Sequence, residues 1–160
     1  MGRRLRTLIT GPTLFFVTLS TIGRKDVFTD TKKLDLAESS LFEVVQNKNC
    51  HLMAYVIMPN HIHLLMGVKN GGKELSRFIF SLKGLIRKRL SGNKDFWNER
   101  FDDLVIRSEE QFLIKLNYIH NNPVKRGLSA SPEDWRYSSF KFWNNEINHP
   151  ILKKDLSFYS

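Results

Sequence analysis

Residues 50–68 read CHLMAYVIMPNHIHLLMGV, two apolar runs separated only by Pro59 and Asn60. A link this short joins antiparallel neighbours, because a parallel pair needs a crossover of about a dozen residues or more. The turn signal between two β-prone runs therefore commits the centre of the chain to a hairpin. Every other element has to be arranged around it. The hairpin also carries an oddity: two imidazoles, His61 and His63, flank Ile62 inside its second, otherwise apolar run.

The flanking pattern supplies the partners. TLFFVTLST (13–21) is aromatic and β-branched and reads as a strand. Between residues 31 and 47, Leu34, Ala37, Leu41, Val44 and Val45 recur at helical spacing. After the NGG break at 70–72, Leu75, Phe78, Ile79, Leu82, Leu85, Ile86 and Leu90 keep a helical period from Glu74 to Leu90, and SGN at 91–93 is the expected stop. FDDLVI (101–106) reads as a short strand. Ser108, followed by Glu109 and Glu110, reads as a helix N-cap with acids in the first turn. That helix is expected to end near Asn121, before Pro123.

The order β-α-β-β-α-β-α is that of an α+β, ferredoxin-like (RRM-like) antiparallel sheet with an additional C-terminal helix. In this plan helices cover one face of the sheet and leave the other open. Beyond Pro132 the expectation is a short helix at PEDWRYSSF and a loosely held end. The 160 residues fit one domain, with a core over about 11–128 and a tail over 129–160.

Charge narrows the partners. The formal net charge is +9. Lys73, Arg77, Lys83, Arg87, Lys88, Arg89 and Lys94 fall between Gly72 and Lys94 against one acid, Glu74. So local an excess fits an anion-binding surface, and a solvated helix face is the plainer reading. No run approaches the roughly 18 to 20 apolar residues that span a bilayer, which makes a membrane partner an unfavoured expectation. The lone Cys50 excludes an internal disulfide or a multi-cysteine zinc site and reads as a small buried side chain.

Three residues share a chemistry. On a strand, positions i and i+2 point to one face, so His61 and His63 stand side by side and could bind one metal, or be two satisfied structural histidines. Projection of the last helix puts Phe112, Leu113, Leu116 and Ile119 on its buried stripe. Tyr118 falls away from them, on a polar stripe with Gln111, Lys115 and Asn122. Asn122, four residues after Tyr118, offers an amide oxygen. Two imidazoles and an amide oxygen with open positions suit Mg²⁺ or Mn²⁺ better than structural zinc. A tyrosine hydroxyl beside such a site can attack phosphorus, with Lys115 adding positive field.

MPNHIHLL (58–65), YIHNNPVKRGL (118–128) and PEDWRYSSF (132–140) together resemble the single-tyrosine HUH transposases, and within them the REP-associated tyrosine transposases of bacteria. GPTLFFVTL and FWNERFDDLVIRSEEQF fit the same resemblance, which runs from about Gly11 to Phe140. It implies a metal-dependent endonuclease and strand transferase acting on single-stranded or hairpin DNA. His61 and His63 match the metal-binding histidines and Asn122 the third ligand, a glutamine in many insertion-sequence relatives. Tyr118 matches the nucleophile that becomes linked to the 5′-phosphate and leaves a free 3′-hydroxyl. Asn98 departs from the glutamine expected after the tryptophan, which bears on local DNA contacts. The resemblance further implies a bacterial cytoplasmic protein, nucleoid-associated when active, as a homodimer or a monomer.

In that setting Arg77, Lys83, Arg87, Lys88 and Lys115 become candidate contacts to the DNA backbone. Trp97, Phe101, Trp135 and Tyr137 read either as base-stacking platforms or as packing, packing being the expected role for most. Two other readings of the residues stand beside the leading one. A non-catalytic single-strand-binding module of the same fold would display aromatics on its open face, where histidines are expected here. A nuclease using activated water would leave Tyr118 dispensable.

Overall fold

The computed structural model describes residues 3–92 and 94–156. In chain order the elements are α1 (Arg3–Arg6), β1 (Thr13–Ser20), α2 (Thr31–Lys48), β2 (His51–Met58), β3 (His61–Val68), α3 (Gly72–Ser91), β4 (Asp102–Ile106), α4 (Glu109–Lys125) and α5 (Phe140–Trp143). Short 3-10 turns occupy Ile22–Arg24 and Pro132–Asp134. The strands form one antiparallel sheet in the order β2-β3-β1-β4, the ferredoxin-like arrangement. The hairpin at Pro59–Asn60 is present, with Met58 paired to His61. The expected helix stop is made by Gly92 in the left-handed conformation; Asn93 lies outside the described residues.

Alternation along each strand divides two cores. Phe15, Val17, Leu19, Leu52, Tyr55, Ile57, Ile62, Leu64 and Met66 face α2 and α3. Leu14, Phe16, Ala54, Val56, Met58 and Leu65 face Phe112, Leu116 and Ile119 of α4. A bulge at Met53 turns both Met53 and Ala54 toward α4. The expectation of an open sheet face is corrected here: helix α4 lies on it, and all eight residues of β3 are buried. Polar residues on a surface so covered must find partners, which makes His61 and His63 more demanding than exposed histidines.

Helix α4 also departs from its expected end. It runs through Pro123 to Lys125. Proline removes a single N–H from the last turn, and the turn is closed beyond it. Leu128 N donates to Pro123 O at 2.8 Å and Gly127 N to Val124 O at 3.0 Å, with Gly127 at φ 72°. This is a Schellman closure around a left-handed glycine. Asn122 consequently stays helical, one turn beyond Tyr118. The start is as expected: the Ser108 hydroxyl accepts from Gln111 N at 3.1 Å. Leu113, placed on the buried stripe by projection, is 47 % exposed.

Two peripheral segments are fastened rather than loose. Arg6, in the basic start of the chain, is buried and pairs with Asp103 of β4 at 2.7 Å, its guanidinium lying 3.8 Å over the Phe101 ring. This approach needs glycine at position 72, where a Cβ would run into the Arg6 carbonyl. The tail lies along the otherwise free edge of β2: Ile57 N donates to Tyr137 O, Ser139 N to Tyr55 O, and the indoles of Trp135 and Trp143 to Ile57 O and Met53 O. It satisfies backbone groups that would otherwise be an open strand edge. The helix expected at PEDWRYSSF is interrupted for that reason, 3-10 at Pro132–Asp134 and helical again only from Phe140. Cys50 is buried, and burial pushes its thiol up to about 12. Among the described residues no helix is long and apolar enough to cross a membrane.

Candidate metal and nucleophile site

His61 begins β3 directly after the hairpin turn, and the turn residue orients it. Asn60 Nδ2 donates to the Arg24 carbonyl at 3.1 Å, which leaves Asn60 Oδ1 to accept from His61 Nδ1 at 2.7 Å. That bond puts the ring proton on Nδ1 and the lone pair on Nε2. His61 Nε2 is buried and has no hydrogen-bond partner. His63, two residues on, is held through Nδ1 by Thr18 Oγ1 at 2.9 Å, directly across the β1–β3 ladder. The two rings are 4.6 Å apart between centroids.

Asn122 reaches the same place from α4. It is 1 % exposed, and its Oδ1 is also buried without a partner. Its amide lies close enough to His61 to raise that ring's pKa slightly. Two acceptors, an imine lone pair and an amide oxygen, cannot satisfy each other. A cation between them can. Each histidine thus has one nitrogen anchored by a neighbour and the other left available, the usual construction behind metal-ligating imidazoles. Among the described residues no three His, Cys, Asp or Glu side chains converge, so any ion here would rest on two nitrogens and an amide oxygen.

The electrostatics keep the lone pairs free. Burial pushes His61 down to about 4, helped by the positive charges of Arg24 and Arg126. Burial also holds His63 well below the ordinary histidine range, with His61, Arg24, Arg126 and Lys115 adding to the effect. Both rings are neutral at neutral pH.

Tyr118 sits at the rim of this pair, 36 % exposed. Its ring is 5.3 Å from that of His63 and 6.0 Å from Phe16, edge-on to both. Lys115 Nζ lies 5.7 Å and Lys125 Nζ 5.8 Å from the Tyr118 ring. The residues expected to meet, His61, His63, Asn122, Tyr118 and Lys115, are therefore together within a single chain.

The α3 cations are not part of this cluster. Arg77, Lys83, Arg87 and Lys88 belong to the helix on the opposite face of the sheet. Arg77 and Lys88 are exposed, whereas Lys83 is half-buried and donates to the Asn98 carbonyl at 2.6 Å. In the chain alone Lys83 fastens the segment before β4 to α3. Trp97 and Tyr137 are buried, Phe101 lies under Arg6, and Trp135 packs on β2, so these aromatics serve packing. Asn98 is likewise tied down, its side chain donating to Thr21 O. Sequence reading missed Arg24, Lys125 and Arg126 around the site, and Asn60 as the group orienting His61. The last three had a signal: Asn60 adjoins His61, and Lys125–Arg126 follow Asn122 by about one turn.

A model of the family described as "Transposase IS200 like" matches residues 15–122. The REP-associated tyrosine transposase of Escherichia coli (strain K12) is 27% identical over 143 residues, covering 88% of this chain and 83% of that protein. A Haemophilus influenzae protein named as a candidate of the same kind is 28% identical, covering 97% of this chain and 93% of its own length. The solved structure of a REP-associated tyrosine transposase bound to a REP hairpin superposes with a TM-score of 0.76 at 23% identity, over 93% of this chain and 89% of that one. The matched interval begins in β1 and ends at Asn122, and so takes in both histidines and the tyrosine. The chain belongs to the IS200-like transposase family.

Proposed function

We propose that this chain is a divalent-metal-dependent transposase that cuts and rejoins single-stranded DNA through Tyr118, with the full 160 residues working as one catalytic unit. The observation that carries the reading is the pair of unpartnered buried atoms, His61 Nε2 and Asn122 Oδ1, beside an exposed tyrosine. His61, His63 and Asn122 are the residues that would hold the ion, and nitrogen with neutral oxygen donors fits Mg²⁺ or Mn²⁺. When bound, such an ion polarises a phosphoryl oxygen and stabilises a leaving oxygen.

The protein's own groups do the rest. The Tyr118 oxygen attacks phosphorus and loses its proton. The bond from phosphorus to the 3′-oxygen breaks, and that oxygen leaves as a hydroxyl once protonated. The product is a 5′-phosphotyrosine and a free 3′-end. A second 3′-hydroxyl reverses the step on a new partner, so strands are rejoined with no external energy source. Lys115 and Lys125 supply positive charge where the attacking oxygen and the phosphate gather negative charge. Asn60 and Thr18 keep the two imidazoles in their working orientation. All these groups come from one chain, so a monomer has the complete set. The hairpin held by the structural relative makes hairpin DNA the substrate form we infer. We infer action in the cytoplasm, on that DNA.

The test is incubation with labelled single-stranded hairpin DNA and Mg²⁺ or Mn²⁺, followed by denaturing electrophoresis. A covalent protein–DNA band is expected, absent with chelator and absent in Tyr118→Phe. Cleavage that survives in Tyr118→Phe would instead assign the chemistry to water.

A further inference from the structure

The sheet face opposite the histidines carries a concave site. A cavity of about 200 Å³ opens between the middle of α3 and the segment before β4, lined by Phe80, Lys83, Gly84, Arg87, Trp97 and residues of the Asp95–Glu99 stretch. It is smaller than a drug-sized pocket and suits one ring system. Phe80 is the most exposed large apolar side chain among the described residues, at 80 %. Gly84 sits one helical turn further on, and a Cβ there would meet nothing within 4 Å. A glycine inside a helix costs about 1 kcal/mol against alanine. No neighbour in the chain requires it, so the gap it leaves is available to something from outside.

The polar groups define the occupant. Arg87 Nε is buried and has no hydrogen-bond partner. Lys83 is already engaged with Asn98 O. The carboxylates of Asp95 and Glu99 line the same cavity, which argues against a phosphate there. One free guanidinium donor beside carboxylate acceptors, next to an exposed aromatic face, matches a nucleobase presenting both donors and an acceptor. Guanine fits best: N1–H and the 2-amino group donate, and O6 accepts. Thymine has one donor between two acceptors.

The cavity is also wired to the histidines. Asn98 Nδ2 donates to Thr21 O at 3.1 Å, Thr21 N donates to Asn60 O at 3.0 Å, and Asn60 Oδ1 accepts from His61. A strand passing over this end of the sheet would lie against both.

We propose that the cleft between α3 and Asp95–Glu99 captures a single unpaired guanine of the DNA strand, stacked on Phe80 and seated over Gly84. This rests on the reading of the chain as a DNA-processing enzyme. The probes are fluorescent dT12 and dT12 carrying one central guanine, adenine or cytosine, measured by anisotropy. The parent should bind the guanine oligonucleotide about tenfold or more tighter than dT12, since a matched pair of hydrogen bonds to a base edge discriminates against the wrong base by a factor of this order. Phe80→Ala and Gly84→Leu should both lose that preference. Gly84→Leu should not lower the melting temperature, because it fills open space and improves helix propensity. Equal affinity of the parent for all four oligonucleotides would overturn the proposal, as would a guanine preference surviving in both variants. The phosphotyrosine band scored on hairpin DNA separates the two ideas. A band without base preference sinks the guanine cleft alone. A base preference without a band sinks the strand-transfer reading and leaves the cleft standing. No binding at all overturns both.

Discussion

His61 Nε2 and Asn122 Oδ1 are buried side by side as two hydrogen-bond acceptors with no donor for either. A buried polar atom left unsatisfied costs about 1–3 kcal/mol, so the metal-free fold carries a local penalty that a cation would remove. Replacing Asn122 by leucine removes one of the two orphans. The metal-free Asn122→Leu protein should therefore melt no lower than the parent, within the limits of packing a branched side chain. The rise in melting temperature that Mn²⁺ gives the parent should vanish. Thermal denaturation with and without Mn²⁺ measures both. A variant that keeps the full Mn²⁺ shift would remove Asn122 from the ligand set.

Tyr118 touches its neighbours through its ring, which lies edge-on to His63 and Phe16. Tyr118→Phe preserves those contacts and deletes only an exposed hydroxyl. Stability should change by no more than about 0.5 kcal/mol, as for surface substitutions. Covalent capture of DNA should fall to background, while binding of hairpin DNA persists. Denaturant titration and anisotropy read the two halves independently. A large loss of stability would assign Tyr118 a packing role instead.

Arg6 and Asp103 form a buried pair that joins the start of the chain to the edge strand β4. Removing one partner of such a pair strands the other charge, at a cost of about 3–5 kcal/mol. Arg6→Ala should lower the urea midpoint by an amount of that order, and Arg6→Lys should recover only part, since lysine cannot bridge Asp103 and Ser76 with one planar fork. A loss under 1 kcal/mol would show that the basic start contributes little to the fold.

What could be read from the sequence was local. The hairpin needed only its two-residue link, and the α4 N-cap only Ser108 and the acids after it. The match of His61, His63 and Tyr118 to a known pattern needed only their order and spacing. What could not be read depended on distant surfaces. Periodicity shows that α4 has an apolar stripe through Phe112, Leu116 and Ile119, but not that this stripe lies on the histidine face of the sheet. Pro123 was a helix stop by local rules, and a glycine four residues later overrode it. Arg24 and Arg126 are about a hundred residues apart in sequence, yet both act on His61. Charge counting along α3 pointed to the face of the sheet opposite His61 and His63.

All five histidines, His51, His61, His63, His120 and His149, have pKa values lowered by burial, His61 and His120 to about 4. The unfolded chain takes up protons near the ordinary value of about 6.5. Below that pH the unfolded state binds more protons than the folded one, so stability falls as pH drops. The loss begins near 6.5 and continues toward 4. His120 contributes by a route separate from metal binding: as a neutral ring it pairs Nε2 with Ser139 Oγ at 2.8 Å and so helps hold the tail against β2. Urea denaturation in chelator at pH 7.5 and pH 5 should show a lower midpoint at pH 5. His120→Gln should flatten part of that difference, because it removes one titrating ring. A midpoint that does not move between the two pH values would mean that the buried imidazoles accept protons in the fold without cost, against the geometry of both the His61–His63 pair and the tail.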